Sequence, residues 1–319
     1  MADCSLASPT HPSRPPPSTK SFEPFYFLAR PSEFLYTHVP LENHLHQHVL
    51  AQDVIPPSVQ LALPYACPAY FQYDLCLQSD YDYSQTRLDG LQVACVNVEV
   101  HEDVECVAEV ESQAFGRDLE GDLFENGEVI KEPALTQPLW LDNGQRRVYR
   151  IKGFLSGEGV KGTLKVYAGK KGLMVTTLLN AVNVKTSAQD NPHRLALTIP
   201  LSHSGTNPPF TFVTRHPTPH AQRHDLYIRQ PQCKHLKINQ TYIFSVLQSP
   251  STLMSSEGKP AKLAIQSPGG KLIKLSNRVE NDHGAWETLI KCSERGSWKG
   301  LVLGATARWC VFAEWVCQG

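Results

Sequence analysis

Arg147-Val148-Tyr149-Arg150-Ile151-Lys152 sets charged against apolar side chains with a period near two, the pattern of a strand with one face in a core and the other in water. Thr163-Leu164-Lys165-Val166-Tyr167 repeats it. Outward from these, Leu91 to Val100, Val104 to Val110, Arg147 to Leu155 and Gly162 to Ala168 predict strands of an antiparallel sandwich. After Gly205-Thr206-Asn207-Pro208-Pro209 a second series begins, with strands predicted at Phe210 to Val213, Asp225 to Ile228, Thr241 to Leu247, Lys262 to Ile265 and Lys271 to Leu275. Pro268-Gly269-Gly270 between two alternating runs predicts a hairpin. The closing run, Ala307 to Val316, is apolar on nearly both faces and predicts a central strand, with Trp309 and Trp315 in the core.

The expected fold is therefore mainly β: two tandem immunoglobulin-like antiparallel sandwiches, the first over 58–206 and the second over 207–319. A chain of 319 residues has room for both. Residues 1–21 are rich in Pro, Ser and Thr and predict a disordered tail, in which Pro9, Pro12 and Pro15 beside Arg14 have the spacing of a polyproline II ligand for an SH3 domain. Phe22 to Pro40 is dense in aromatic side chains, which need a cover.

Several function classes are excluded by composition. Thirty Lys plus Arg against thirty-one Asp plus Glu leave a formal net charge of −1, with no long run of one sign, which argues against nucleic acid as the main partner. The apolar runs are too short for a membrane span, and the first twenty residues lack the apolar core of a secretory signal, so a cytoplasmic location is expected. Nine scattered cysteines without a C-x-x-C pair fit reduced, structural thiols.

Candidate chemistry is sparse. His38, His44, His46 and His48 crowd one segment, and His216, His220 and His224 recur every four residues. A zinc site of i and i+4 histidines needs a continuous helix, which Pro217 and Pro219 forbid between His216 and His220. No cysteine stands in a context that lowers its pKa, and no phosphate-binding glycine loop is present. The expectation is no enzyme, no metal and no cofactor. The stiff polar loop Arg215, His216, His220, Arg223, His224 and Asp225 is the candidate protein-binding surface; the alternative is that Arg215, Arg223 and Asp225 pin this crossover to the sandwich.

The segment Glu23-Pro-Phe-Tyr-Phe-Leu-Ala-Arg-Pro-Ser-Glu-Phe-Leu-Tyr-Thr-His-Val-Pro40 resembles the end of the transglutaminase-like domain in relatives of kyphoscoliosis peptidase. Asp103 to Glu111, Leu164 to Lys170, Phe212 to Tyr227, Ala261 to Pro268 and Ala307 to Trp315 resemble the C-terminal half of fungal cytokinesis proteins that join an SH3 domain to a transglutaminase-like domain. That resemblance implies that residues 22–57 are the terminal segment of a transglutaminase-like domain, whose SH3 domain and catalytic core would lie upstream. It also implies a non-catalytic adaptor in cytokinesis, at the actomyosin ring and in septum formation, with septation and ring proteins as partners. The alternatives are a fragment of a cysteine-dependent enzyme of transglutaminase or peptidase type, and a truncated remnant. The family's catalytic residues precede the matched segment, so none is placed here. Val175 to Gln189 interrupts the family pattern and reads as an insertion or a retained intron.

Overall fold

The computed structural model describes residues 25–26, 30, 33, 36, 64–78, 87–88, 91–117, 123–155, 161–172, 193–202, 210–249, 262–280, 283–304 and 308–319. The Pro-rich tail, the histidines between 38 and 48, and the 175–189 segment lie outside them.

The first series of elements runs β1 (Tyr65–Ala66), α1 (Pro68–Gln72), β2 (Cys76–Leu77), β3 (Arg87–Leu88), β4 (Leu91–Gln92), β5 (Ala94–Glu99), β6 (Val104–Arg117), β7 (Leu123–Pro133), β8 (Leu135–Leu141), β9 (Arg146–Gly153), β10 (Lys161–Lys170) and β11 (Arg194–Ser202). They form a sheet ordered β1-β11-β10-β6-β7, a second ordered β2-β5-β9-β8 and the small pair β3-β4. The two larger sheets share one core, with Val96, Val98, Tyr149 and Ile151 from one and Cys106, Val110, Leu164, Val166, Leu197 and Ile199 from the other. The strands begin well before Leu91, the start of the first expected one, because two-residue segments such as β1 and β2 are held by the longer strands they pair with, β11 and β5. The aromatic segment finds part of its cover here: Phe25 stacks on Phe71 of α1 at 5.2 Å, and Tyr36 meets the same ring edge-on at 5.7 Å.

The second series runs β12 (Thr214–Arg215), α2 (Pro219–Arg223), β13 (Tyr227–Gln230), β14 (His235–Lys237), β15 (Thr241–Gln248), β16 (Leu263–Gln266), β17 (Leu272–Lys274), β18 (Ser276–Glu280), β19 (His283–Lys291), β20 (Gly296–Leu303) and β21 (Trp309–Gln318). One sheet is ordered β12-β21-β20-β16-β17, with β14 parallel to β21, and the other β13-β15-β19-β18. Phe210 to Val213, expected as a strand, contributes only an isolated bridge from Phe212 to Cys233. The β16–β17 hairpin turns at Ser267-Pro-Gly-Gly270, where Gly270 N–H donates to the Ser267 carbonyl and Gly270 takes φ +87°, a conformation open to glycine.

Strand β21 is central, as its pattern predicts, and Trp315 is fully buried, its indole N–H donating to the Pro231 carbonyl at 3.0 Å. Trp309 departs from the expectation and is only half-buried. Gly300 pairs with Ala313 and Leu301 with Val311, so Phe312 is an extra residue in β21. Such a bulge reverses which face later side chains occupy. Cys310, Phe312, Ala313, Trp315 and Cys317 consequently face the core, and Trp309 falls on the other side. Gly300 makes room for the bulged ring: a Cβ there would stand 2.7 Å from Phe312.

Candidate functional site: the seam between the sandwiches

The outer faces of the two four-stranded sheets meet. Leu139 of β8 and Val148 of β9 pack against Tyr227, Leu247 and Ala285 of the second sandwich, so the face of β9 expected to be wet is dry at Val148. The reason lies in the hexapeptide itself. Alternation is clean only from Tyr149 onward, and Arg147 falls in phase with Tyr149 and Ile151, on the core side.

Arg147 is thus a buried cation, and Asp225 answers it. The Asp225 carboxylate accepts from Arg147 Nε at 2.8 Å and Nη2 at 3.0 Å, and from Trp140 Nε1 at 3.0 Å; Lys171 Nζ stands 2.9 Å away. Arg147 uses its remaining donors on the His101 carbonyl at 3.0 Å, the Val104 carbonyl at 2.6 Å and Tyr149 Oη at 3.2 Å. The two side chains are 1% and 4% exposed. Burial alone would raise the Asp225 carboxyl, but the hydrogen bonds and charges of Arg147 and Lys171 outweigh it and hold the group below the usual carboxylate range. Tyr149, fully buried, is pushed above the ordinary phenol range by desolvation.

Local sequence explains how Asp225 is aimed. Thr218 caps α2, its hydroxyl accepting from Ala221 N–H at 3.3 Å, and Pro219 takes the first helical position, where a missing N–H costs nothing. The helix ends in one turn, and Asp225 follows with φ +42°, a left-handed conformation that Asp tolerates better than most residues.

A second link crosses the seam. The Gln137 side-chain amide donates to the Ile228 carbonyl at 3.1 Å and accepts from Ile228 N–H at 2.8 Å, doing for β13 what a neighbouring strand would do. Lys152 donates to Gln232 at 2.8 Å and Gln222 to Glu105 at 2.7 Å, each pair spanning both sandwiches.

The candidate loop divides between the seam and the surface. Asp225 points inward. Arg215 donates to the Thr136 carbonyl across the seam, and to Leu226 at 3.4 Å. His216 faces Glu314 at 3.5 Å, and His220 packs where a Cβ on Gly304 would stand 2.7 Å from it. His224 Nδ1 lies 3.3 Å from the Gln248 amide nitrogen. Gln248 accepts from Trp286 Nε1 at 3.1 Å through its oxygen, so its nitrogen must be the donor to His224. Burial first, then the charges of Arg223 and His220, push the His224 pKa down. Arg223 is exposed. The three histidines do not converge, and no group of three or more metal-ligating side chains occurs among the described residues.

Arg147, Trp140, Lys171, Gln137 and Glu105 escaped the sequence reading. Only Arg147 carried a signal, the phase break before Val148. Among the thiols, desolvation pushes Cys67 up to about 11, and Cys106 and Cys292 up to about 12. No helix of the described residues is long and apolar enough to cross a membrane.

Residues 219–317, from α2 through most of β21, match the family described as the CYK3 C-terminal Ig-like domain. The chain is 33% identical over 322 aligned residues to cytokinesis protein 3 of Schizosaccharomyces pombe, covering 99% of this chain and 33% of that protein. It is 31% identical over 312 to Cytokinesis protein 3 of Saccharomyces cerevisiae, covering 93% of this chain and 32% of the relative. The chain therefore spans about a third of the length of these curated relatives. A likeness to the crystal structure of red sea bream transglutaminase, at 10% identity and a TM-score of 0.19 over 77% of this chain and 31% of that one, is too low to bear on fold or activity. Residues 219–317 thus match the CYK3 C-terminal Ig-like domain, and the chain along nearly its whole length is similar to about a third of each of the two yeast cytokinesis proteins.

Proposed function

We propose that the chain is a non-catalytic adaptor in cytokinesis, acting in the cytoplasm at the division site, where it joins septation and actomyosin-ring proteins. The observation that carries this reading is the Arg147–Asp225 lock. It fixes two sandwiches into one unit, so loops and strand edges from both are presented in a set geometry, which lowers the entropy cost of binding a partner. The names of the two yeast relatives support the process. The raised pKa values of Cys67, Cys106 and Cys292 support a non-catalytic role, since a thiol protonated at neutral pH is a poor nucleophile. The polyproline spacing at Pro9, Pro12 and Pro15 adds an SH3 domain as a second partner class.

Live-cell imaging of the chain, fluorescently tagged at its own locus, tests the reading. Recruitment to the division site as the ring assembles is the expected result. A signal that stays diffuse through division overturns it.

A further inference from the structure

Among the described residues, strand β7 is the outermost of its sheet, paired with β6 along one edge and with no strand along the other. It runs for 11 residues, and among the described residues 129–132 make no backbone hydrogen bond beyond the β6 ladder. The N–H and C=O groups of that free edge are open to another chain. Such edges are usually short or charged throughout, yet this one carries two neighbouring apolar side chains, Val129 at 49% and Ile130 at 39% exposure. Consecutive strand residues point to opposite faces. Ile130, opposite Ser112, lies on the face that holds Val110 in the core, and Val129, opposite Gln113, lies on the other. A surface docked flat on either face covers one of the two and leaves the other wet. A strand laid along the edge covers both, because its own side chains alternate between the same two faces.

Charge narrows what that strand can be. The β7 sequence contains Glu125, Glu128 and Glu132 against one basic residue, Lys131, whose ammonium stands 3.5 Å from Glu111. A second copy of β7, or any acidic segment, would bring like charges side by side and destabilise the pair. A basic segment would bring opposite ones. We infer that β7 receives an extended basic segment of a partner protein as an added strand, its apolar side chains lying over Val129 on one face and Ile130 on the other. That the occupant belongs to a partner protein rests on the adaptor reading.

The test follows backbone amide exchange in the full chain by NMR during titration with three blocked hexapeptides. They are acetyl-Lys-Arg-Val-Ile-Lys-Arg amide, its acidic counterpart acetyl-Glu-Asp-Val-Ile-Glu-Asp amide, and acetyl-Lys-Arg-Pro-Pro-Lys-Arg amide, which keeps the charge and removes the two central N–H donors. The basic Val-Ile peptide is expected to slow exchange at the outward amides between Val129 and Glu132 at least tenfold at saturation, and to bind at least tenfold more tightly than either control. Val129→Thr and Ile130→Thr each keep a β-branched side chain and lose apolar contact, so each should weaken that peptide at least threefold with the melting temperature preserved. If one variant does not fold, the other and the proline peptide still decide. Unchanged exchange at 129–132, a control peptide that binds within tenfold of the basic one, or affinity kept within threefold in a folded variant overturns the inference. So does slowing that appears when the chain alone is concentrated, which would assign the edge to a second copy. Division-site recruitment with unchanged exchange strikes this inference alone; selective slowing in a chain that is never recruited strikes the adaptor reading alone.

Discussion

Asp225 and Arg147, 78 residues apart in the chain, meet through two hydrogen bonds in the seam between two sandwiches, and neither side chain touches bulk water to any extent. Removing one partner of such a pair leaves the other as an uncompensated buried charge. Asp225→Asn, which keeps a residue tolerant of φ +42°, should therefore lower the unfolding free energy by about 3 kcal/mol. Urea denaturation measures it, and a change below about 0.5 kcal/mol, the size of an ordinary surface substitution, would contradict the lock.

Acid should open the same lock. The Asp225 carboxyl is held below its ordinary value, so the unfolded chain takes up the proton first. Its contribution is complete above about pH 5 and is lost as pH falls through about 3.9 and then through the lower folded value. His224, also held down, binds its proton more readily when unfolded, and its contribution fades as pH drops below about 6.5. Urea midpoints across this range should show both slopes, the acid one flattened in Asp225→Asn and the upper one in His224→Gln. Unchanged slopes in both variants would assign the pH dependence elsewhere.

Gln137 satisfies the backbone of Ile228 on both its N–H and its carbonyl, and the carbonyl keeps a second donor in Gln232 at 2.9 Å. Gln137→Leu strands mainly the buried N–H, so a loss of about 1–3 kcal/mol is expected. Amide exchange at Ile228 should accelerate together with that loss; protection equal to the parent's would show that another acceptor had taken over.

At Gly300 an added methyl meets the Phe312 ring. Gly300→Ala should cost about 1–3 kcal/mol as an overpacked core site. Combining it with Phe312→Leu should cost less than the sum of the two, and strict additivity in a denaturation cycle would rule out the contact.

Alkylation separates the adaptor from a cysteine enzyme. With iodoacetamide near neutral pH, Cys67, Cys106 and Cys292 should react slowly because burial keeps their thiols protonated. Peptide mass spectrometry over a time course reads each site. Rapid labelling of any of the three in the folded chain would reopen a nucleophilic role.

Much of this architecture is legible in the sequence. The alternation from Tyr149 to Lys152 marks strand β9, Pro268-Gly269-Gly270 marks the β16–β17 hairpin, and the density of apolar side chains in β21 marks a central position. Strand β8 is not legible, because Thr136, Gln137 and Pro138 break its apolar pattern, and the Gln137 amide is used only where Ile228 lies alongside. Strands β11, β19 and β20 do carry alternating apolar residues, such as Leu197 with Ile199 and Trp298 with Gly300 and Val302, a period-two signal present in the residues themselves.

Period-two burial and glycine conformations are local properties, so strands such as β9, β10 and β21 and the β16–β17 turn can be read from the residues alone. Packing between distant elements sets the rest: Arg147 is buried, Asp225 turns inward from a polar loop, and Trp309 leaves the core where Phe312 bulges. Each of these depends on what another sheet lays against the residue. The burial that makes a charge cost free energy, or a partner recover it, arises only when two distant surfaces close over it.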